Sequence, residues 1–182
     1  IINTVEDLNN YLPVLYFHND QPNPRSVKTT TNKTYHQCFT EYLGMKKHYL
    51  NEYTKNKTGR SKDSAITRVD WFFKHKIESG IQEFDLFMDL LYGQLQKGES
   101  VIITIKGYAS PLAKSDYNIH LTKRRIQSLI NYLYVYKEGE IAPYLDGTAK
   151  NKAKIEFVKI PFGDSKAART TSDDLNDKTN SI

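Results

Sequence analysis

The run Val101-Ile102-Ile103-Thr104-Ile105 constrains this chain more than any other stretch, because five consecutive side chains are β-branched. Such residues are stiff at χ1 and suit a pleated surface better than a helix. With almost no polar alternation, the run reads as a central strand covered on both faces. Helical patterns flank it. Phe84, Phe87, Met88, Leu91 and Leu95 form one apolar stripe that Gly98 ends, and beyond Gly107 a loop leads to Asp116. Asp116 is the expected N-cap of a helix that carries Leu121, Ile126, Leu129, Ile130 and Leu133 inward. A later strand is expected over Ile155-Glu156-Phe157-Val158-Lys159-Ile160-Pro161, and an early, short one over Leu12 to Phe17. Strands alternating with helices predict an α/β sandwich, a sheet with helices packed on it.

Between the early strand and the apolar stripe the chain is different in character. His18-Asn19-Asp20-Gln21-Pro22-Asn23-Pro24 concentrates turn formers, and polar residues from Arg25 to Lys33 extend that loop, as a functional loop or as a plain connector. Tyr35, Phe39, Tyr42, Leu43, Tyr49, Leu50 and Tyr53 then recur at helical spacing, a stripe that reads as packing surface. Thr54 to Ser64 reads as a solvated, basic loop. A second helical stretch with Ile66, Val69, Phe73 and Ile77 on one face, and Trp71 and Phe72 beside it, is expected to stop at Gly80. The tail over 164–182 is polar and aperiodic, and no internal repeat is visible.

A length of 182 residues suits one domain, 1–182, able to bury roughly 70% of its unfolded surface without a disulfide or metal. The single cysteine, Cys38, permits no internal bridge. With 26 basic and 21 acidic side chains the net charge is +5; the isoelectric point is about 9.1 and the mean hydropathy −0.63. That balance tolerates anionic partners without naming one, and no apolar run is long enough for a transmembrane helix. No signal peptide is visible, and the chain opens on Ile1 rather than Met, as a piece of a longer protein would.

Most enzyme classes find no motif here. There is no Gly-rich phosphate loop, no G-x-S-x-G elbow and no cysteine pair. His18, His36, His48, His75 and His120 form no H-x-x-x-H pair, so no metal, cofactor or reaction is expected. The informative stretch runs from Gly107 to Leu133, where the chain leaves a strand, makes a loop and enters a helix presenting Lys123, Arg124 and Arg125 early. A strand end facing a helix N-terminus is suited to anions. The same three cations could equally be a solvated helix face.

This stretch resembles the OmpA-like peptidoglycan-binding domain. In the pattern G-H-T-D-x-x-G-x-x-x-Y-N-x-x-L-S-x-x-R-A, Gly107, Tyr117, Asn118, Leu121 and Arg125 fall in register, with Thr122 for the serine. Leu15-Tyr16-Phe17-His18-Asn19-Asp20 together with Gly107-Tyr108-Ala109-Ser110-Pro111 is similar to the Bacteroidetes cell-envelope branch, some of whose members are associated with type IX secretion. The resemblance covers about Leu12 to Gly163 and implies a βαβαβ mixed sheet with helices packed on it, interrupted by an extra helical insertion over 25–80. It further implies noncovalent binding of the peptidoglycan stem peptide through diaminopimelate, anchoring an outer-membrane or periplasmic complex to the cell wall. Arg125, on the helix, matches the arginine that holds the carboxylate, and Tyr108, Ala109 and Ser110 of the preceding loop would line the same site. Ser110 stands where the family has an aspartate for the ammonium, so either affinity is lower or another acid, such as Asp20 or Asp116, supplies the missing anion. Asn118 would bond the peptide or fix the loop, Tyr117 would pack, and Arg124 would face solvent. Related domains continue past a Ser-Ile pair into a closing strand, whereas this sequence stops at Ser181-Ile182, so the expectation is either a sheet without that edge strand or a remainder outside this sequence; the insertion, which has no counterpart in the short form of the family, either thickens the core or presents a surface to an envelope protein partner. The alternative is a protein-interaction module that keeps the fold without wall binding; a nucleic-acid partner is disfavoured by the small net charge.

Overall fold

Residues 4–110 and 114–164 are described by the computed structural model. The chain enters through a 3-10 turn, Glu6–Tyr11, and crosses the molecule without regular secondary structure before a long loop delivers it to α1 (Tyr35–Gly44). Thr34 and Gln37 form a reciprocal capping box: the Gln37 amide donates to the Thr34 hydroxyl at 3.3 Å and the Thr34 amide donates to Gln37 Oε1 at 2.8 Å. Two amides that the first turn would otherwise leave without a partner are satisfied there. α2 (Lys46–Thr54) follows across Met45, then α3 (Gly59–Phe72), a π-helical segment Phe73–Glu78, α4 (Ser79–Gln96), β1 (Val101–Tyr108), α5 (Ser115–Val135), the single turn α6 (Ala142–Leu145) and β2 (Ile155–Gly163).

β1 and β2 pair in parallel, Val101 opposite Ile155 through Gly107 opposite Pro161, with a register irregularity before Tyr108 meets Gly163. Pro161 has no amide to donate, which suits it to such a break in the ladder. α5 is the crossover and packs on both strands. Its approach depends on Gly107, where a Cβ would lie 3.2 Å from the Thr122 carbonyl oxygen and from the Ile126 side chain. The expected α/β class stands: helices cover a parallel strand pair.

The apolar side chains gather in two clusters. One joins α4, through Phe84, Phe87, Met88, Leu91 and Leu95, to Val101, Leu133, Ile141 and Ile155. The other is aromatic and helical, built from Tyr42, Tyr49, Val69, Phe73 and Ile77 with Phe39, Phe72 and Tyr16 against them.

Several expectations are corrected. β1 is not covered on both faces: Val101 and Gly107 are buried, whereas Ile102 is 66% exposed and Thr104, Lys106 and Tyr108 are exposed. α5 shields one face, and β-branched composition specifies a strand without specifying the number of layers around it. Leu12 to Phe17 is not a strand. Pro13 lacks a ladder donor, and the segment's carbonyls face helices: Tyr35 donates its hydroxyl to Tyr16 O at 3.4 Å, and Val14 O sits where a Cβ on Gly80 would be 2.7 Å away. Gly80 therefore ends no helix. It lies inside α4, buried, and α3 runs through the π-helical segment into α4 without interruption. The break expected over Thr54 to Ser64 shrinks to 55–58, α3 starting at Gly59. The N-cap of α5 is Lys114, and Asp116 lies in its first turn. The stop at Gly98 holds, with φ +95 and its amide donating to Leu95 O at 3.0 Å. Among the described residues, no helix is long and apolar enough to cross a membrane. The 164–182 tail, apart from Asp164, and Pro111 to Ala113 lie outside the described residues.

Candidate functional site

The residues singled out in the sequence meet where β1 ends and α5 begins. Five of them belong to one hydrogen-bonded assembly. Asn118, almost fully buried, donates its side-chain amide to Ser110 O at 3.0 Å, which fixes the loop leaving β1. Arg125 donates Nη1 to Tyr108 O at 2.8 Å and Nε to Gln21 O at 3.0 Å, so one guanidinium ties the β1 exit to the loop after residue 18. The same guanidinium lies 5.2 Å from the centre of the Phe17 ring, a cation–π contact. Asp20, in the left-handed region at φ +62, accepts a hydrogen bond from the Tyr117 hydroxyl at 2.6 Å. Tyr108 is partly exposed and stacks on Phe162 from β2, ring centres 5.2 Å apart and 15° from parallel. Ala109 is buried, its amide donating to Gly163 O at 2.8 Å. Asp116 is exposed on the first turn of α5, and no hydrogen bond joins it to this assembly among the described residues. Of the two acids expected to replace the family aspartate, only Asp20 is drawn in.

Arg124 overturns its expectation. It is completely buried, with Nε donating to Pro22 O at 2.9 Å and Nη1 to Ser26 O at 2.8 Å and Lys28 O at 2.7 Å. Its Nη2 reaches the Tyr117 hydroxyl at 3.4 Å. A buried cation is costly without compensation. Here three carbonyl dipoles fill the guanidinium fork, and Tyr117 links it to the Asp20 carboxylate. Tyr117 is thus more than packing: burial, and then the adjacent Asp20 charge, raise its hydroxyl pKa above the ordinary value, so it stays protonated and donates.

The loop over 18–33 is consequently built onto α5 rather than left as a connector. Tyr117, Arg124 and Asn131 recur every seven residues, nearly two helical turns apart, and so share one face. Tyr117 accepts from the Arg25 amide at 3.0 Å; Asn131 donates to Thr31 O at 2.8 Å and Lys33 O at 3.0 Å. A polar seven-residue spacing on an otherwise amphipathic helix is the signal that could have exposed this ladder. Asn118 and Arg125, also seven apart, form the parallel ladder to the β1 exit.

Chemically, the junction offers the Arg125 guanidinium from α5, the Asp20 carboxylate from the loop after residue 18, the exposed Tyr108 ring stacked on the half-buried Phe162, and a serine, Ser110. No group of three or more His, Cys, Asp or Glu is placed to hold a metal ion among the described residues. Compared with protein families, curated proteins and solved structures, the chain matches none.

Proposed function

We propose that the chain binds the stem peptide of peptidoglycan noncovalently, through diaminopimelate, at the β1–α5 junction, and so anchors a periplasmic or outer-membrane complex of the cell envelope to the wall. No bond is made or broken. The observation that carries this reading is the hydrogen bond from Arg125 to Gln21 O, the residue next to Asp20 in sequence, which sets side chains of opposite charge on adjoining segments of the junction. A free diaminopimelate end is zwitterionic: its carboxylate would meet the Arg125 guanidinium and its ammonium the Asp20 carboxylate, with the Tyr108–Phe162 pair beside them. Asp20 then takes the charge that Ser110 lacks.

Titration of the chain with a soluble diaminopimelate stem peptide tests the reading, alongside the lysine analogue that lacks the second carboxylate. Binding should weaken about tenfold or more for the analogue, for Arg125→Ala and for Asp20→Asn, because a hydrogen bond to a charged group contributes about 1.5–3 kcal/mol. Equal binding of both peptides, or no binding by a folded chain at millimolar peptide, sinks it. A second reading, a protein-interaction module without wall binding, is favoured by one observation: Arg124 and Arg125 both spend hydrogen bonds on the chain's own carbonyls. Retained folding with no peptide affinity would select that reading.

A further inference from the structure

Far along the chain from that junction, Trp71 stands 53% exposed near the end of α3. It is the single tryptophan of the protein. Arg68 three residues before it, Lys74 three after it, and Arg60 three turns earlier share its helix face, and all are exposed. The π-helical segment adds to this. In such a turn residues five apart become neighbours, and Lys76, five beyond Trp71, brings Nζ to 5.7 Å from the indole centre. His75 lies against the same ring, centres 5.3 Å apart and 33° from parallel. Asp70, the acid beside Trp71, is neutralised by Lys46 at 2.8 Å.

The net charge of the protein is concentrated in the segment of chain that contains this face. Residues 46–76 carry nine basic and three acidic side chains, net +6, against +5 for the whole chain, so everything else sums to −1. The outer surface of a helix is convex and offers a small ligand nothing to enter. A nucleobase would need a face of the indole to stack on, and His75 and Lys76 already flank that ring. An indole ringed by cations on a convex, basic surface complements a negatively charged lipid headgroup layer, where tryptophan sits at the interface and lysine and arginine meet phosphate.

We infer that the face of α3 and the π-helical segment around Trp71 is a docking surface for an anionic phospholipid bilayer. The test mixes the full chain with vesicles of phosphatidylcholine containing phosphatidylglycerol, and with phosphatidylcholine alone, while tryptophan fluorescence and co-sedimentation are followed. Because Trp71 is the only tryptophan, the emission reports from the surface itself. A blue shift and co-sedimentation should occur with the anionic vesicles alone and be reversed by salt, which screens exposed charge. The Arg68→Glu/Lys74→Glu double variant should bind at least about tenfold more weakly, each basic side chain near such a surface being worth roughly fivefold. Its circular dichroism should match the parent, since both side chains are exposed. Trp71→Ala, read by co-sedimentation, is a second variant and should also weaken binding. No response to anionic vesicles, an equal response to phosphatidylcholine alone, or undiminished binding by both variants overturns the inference. A response confined to single-stranded DNA or to polyglutamate overturns it too, and reassigns the face to nucleic acid or to an acidic protein. Arg125→Ala should leave vesicle binding unchanged, so this surface and the stem-peptide site stand or fall separately.

Discussion

Arg124 and Arg125 are neighbours in sequence, yet the 100° step of a helix gives them different surroundings. Arg125 stays partly exposed beside Phe17, while Arg124 sinks into the 22–28 loop and is satisfied by three carbonyls. Arg124→Ala should destabilise the fold by ~3 kcal/mol, measured by urea denaturation, because it leaves those carbonyls without their donor. Arg124→Lys should recover only part of this, since a single ammonium cannot reproduce a planar fork. Nothing in the residue type announces the burial; arginine is usually exposed, and only the arrival of a remote loop with carbonyls in the right geometry reverses that. Cys38 makes a second residue-scale case. It is buried, and loss of hydration pushes its thiol up to about 11. Alkylation by iodoacetamide at neutral pH should therefore be slow in the folded protein and rapid in urea; fast native labelling would contradict the packing around α1.

At the scale of elements, α4 holds two glycines with opposite predictions. A methyl at Gly80 would meet Val14 O at 2.7 Å, a backbone atom that cannot rotate away, whereas nothing lies within 4 Å of Gly93. Gly80→Ala should cost ~1–3 kcal/mol despite alanine's better helix propensity, and Gly93→Ala should stabilise by ~0.5–1 kcal/mol. Thermal unfolding of the two variants, compared with the parent, checks the signs. The stripe from Phe84 to Leu95 and its end at Gly98 were legible because a periodic apolar face and a left-handed glycine are local properties. Gly80 reads in the sequence as a stop, since the same residue ends a helix or admits a close neighbour, and the neighbour here is 66 positions away in sequence. The seven-residue polar ladders of α5 were visible as letters; their meaning required the loop that they hold.

Across the whole molecule, residues 12–18 stitch the two clusters together: Leu15 packs against the α4-centred one and Tyr16 against the aromatic one. The buried phenols and the buried thiol, spread over both sides, carry a pH liability. Burial raises the hydroxyls of Tyr35, Tyr42 and Tyr136 well above their ordinary 10.0, and the Cys38 thiol above its 9.0. For such groups the folded state keeps its proton while the unfolded chain loses it. Their full contribution to stability is present below pH ~9 and falls as pH rises, by up to about 1.4 kcal/mol per pH unit for each group. The urea midpoint should thus decline steeply between pH ~9 and ~11, with a further step of tyrosinate absorbance, that of the buried phenols, accompanying loss of the fold; a flat profile would refute the buried placement. By itself the sequence determined the local choices: the strand at Val101–Ile105, the helices of Phe84–Leu95 and Leu121–Leu133, and the α/β class, because χ1 stiffness and apolar period act over a few residues. The open face of β1, the burial of Arg124, the role of Gly80 and the pairing of Asp20 with Tyr117 were decided by tertiary structure alone. Each depends on contacts between segments tens of residues apart, and whether a charge is solvated or a glycine crowded is a property of the partner that arrives, not of the residue.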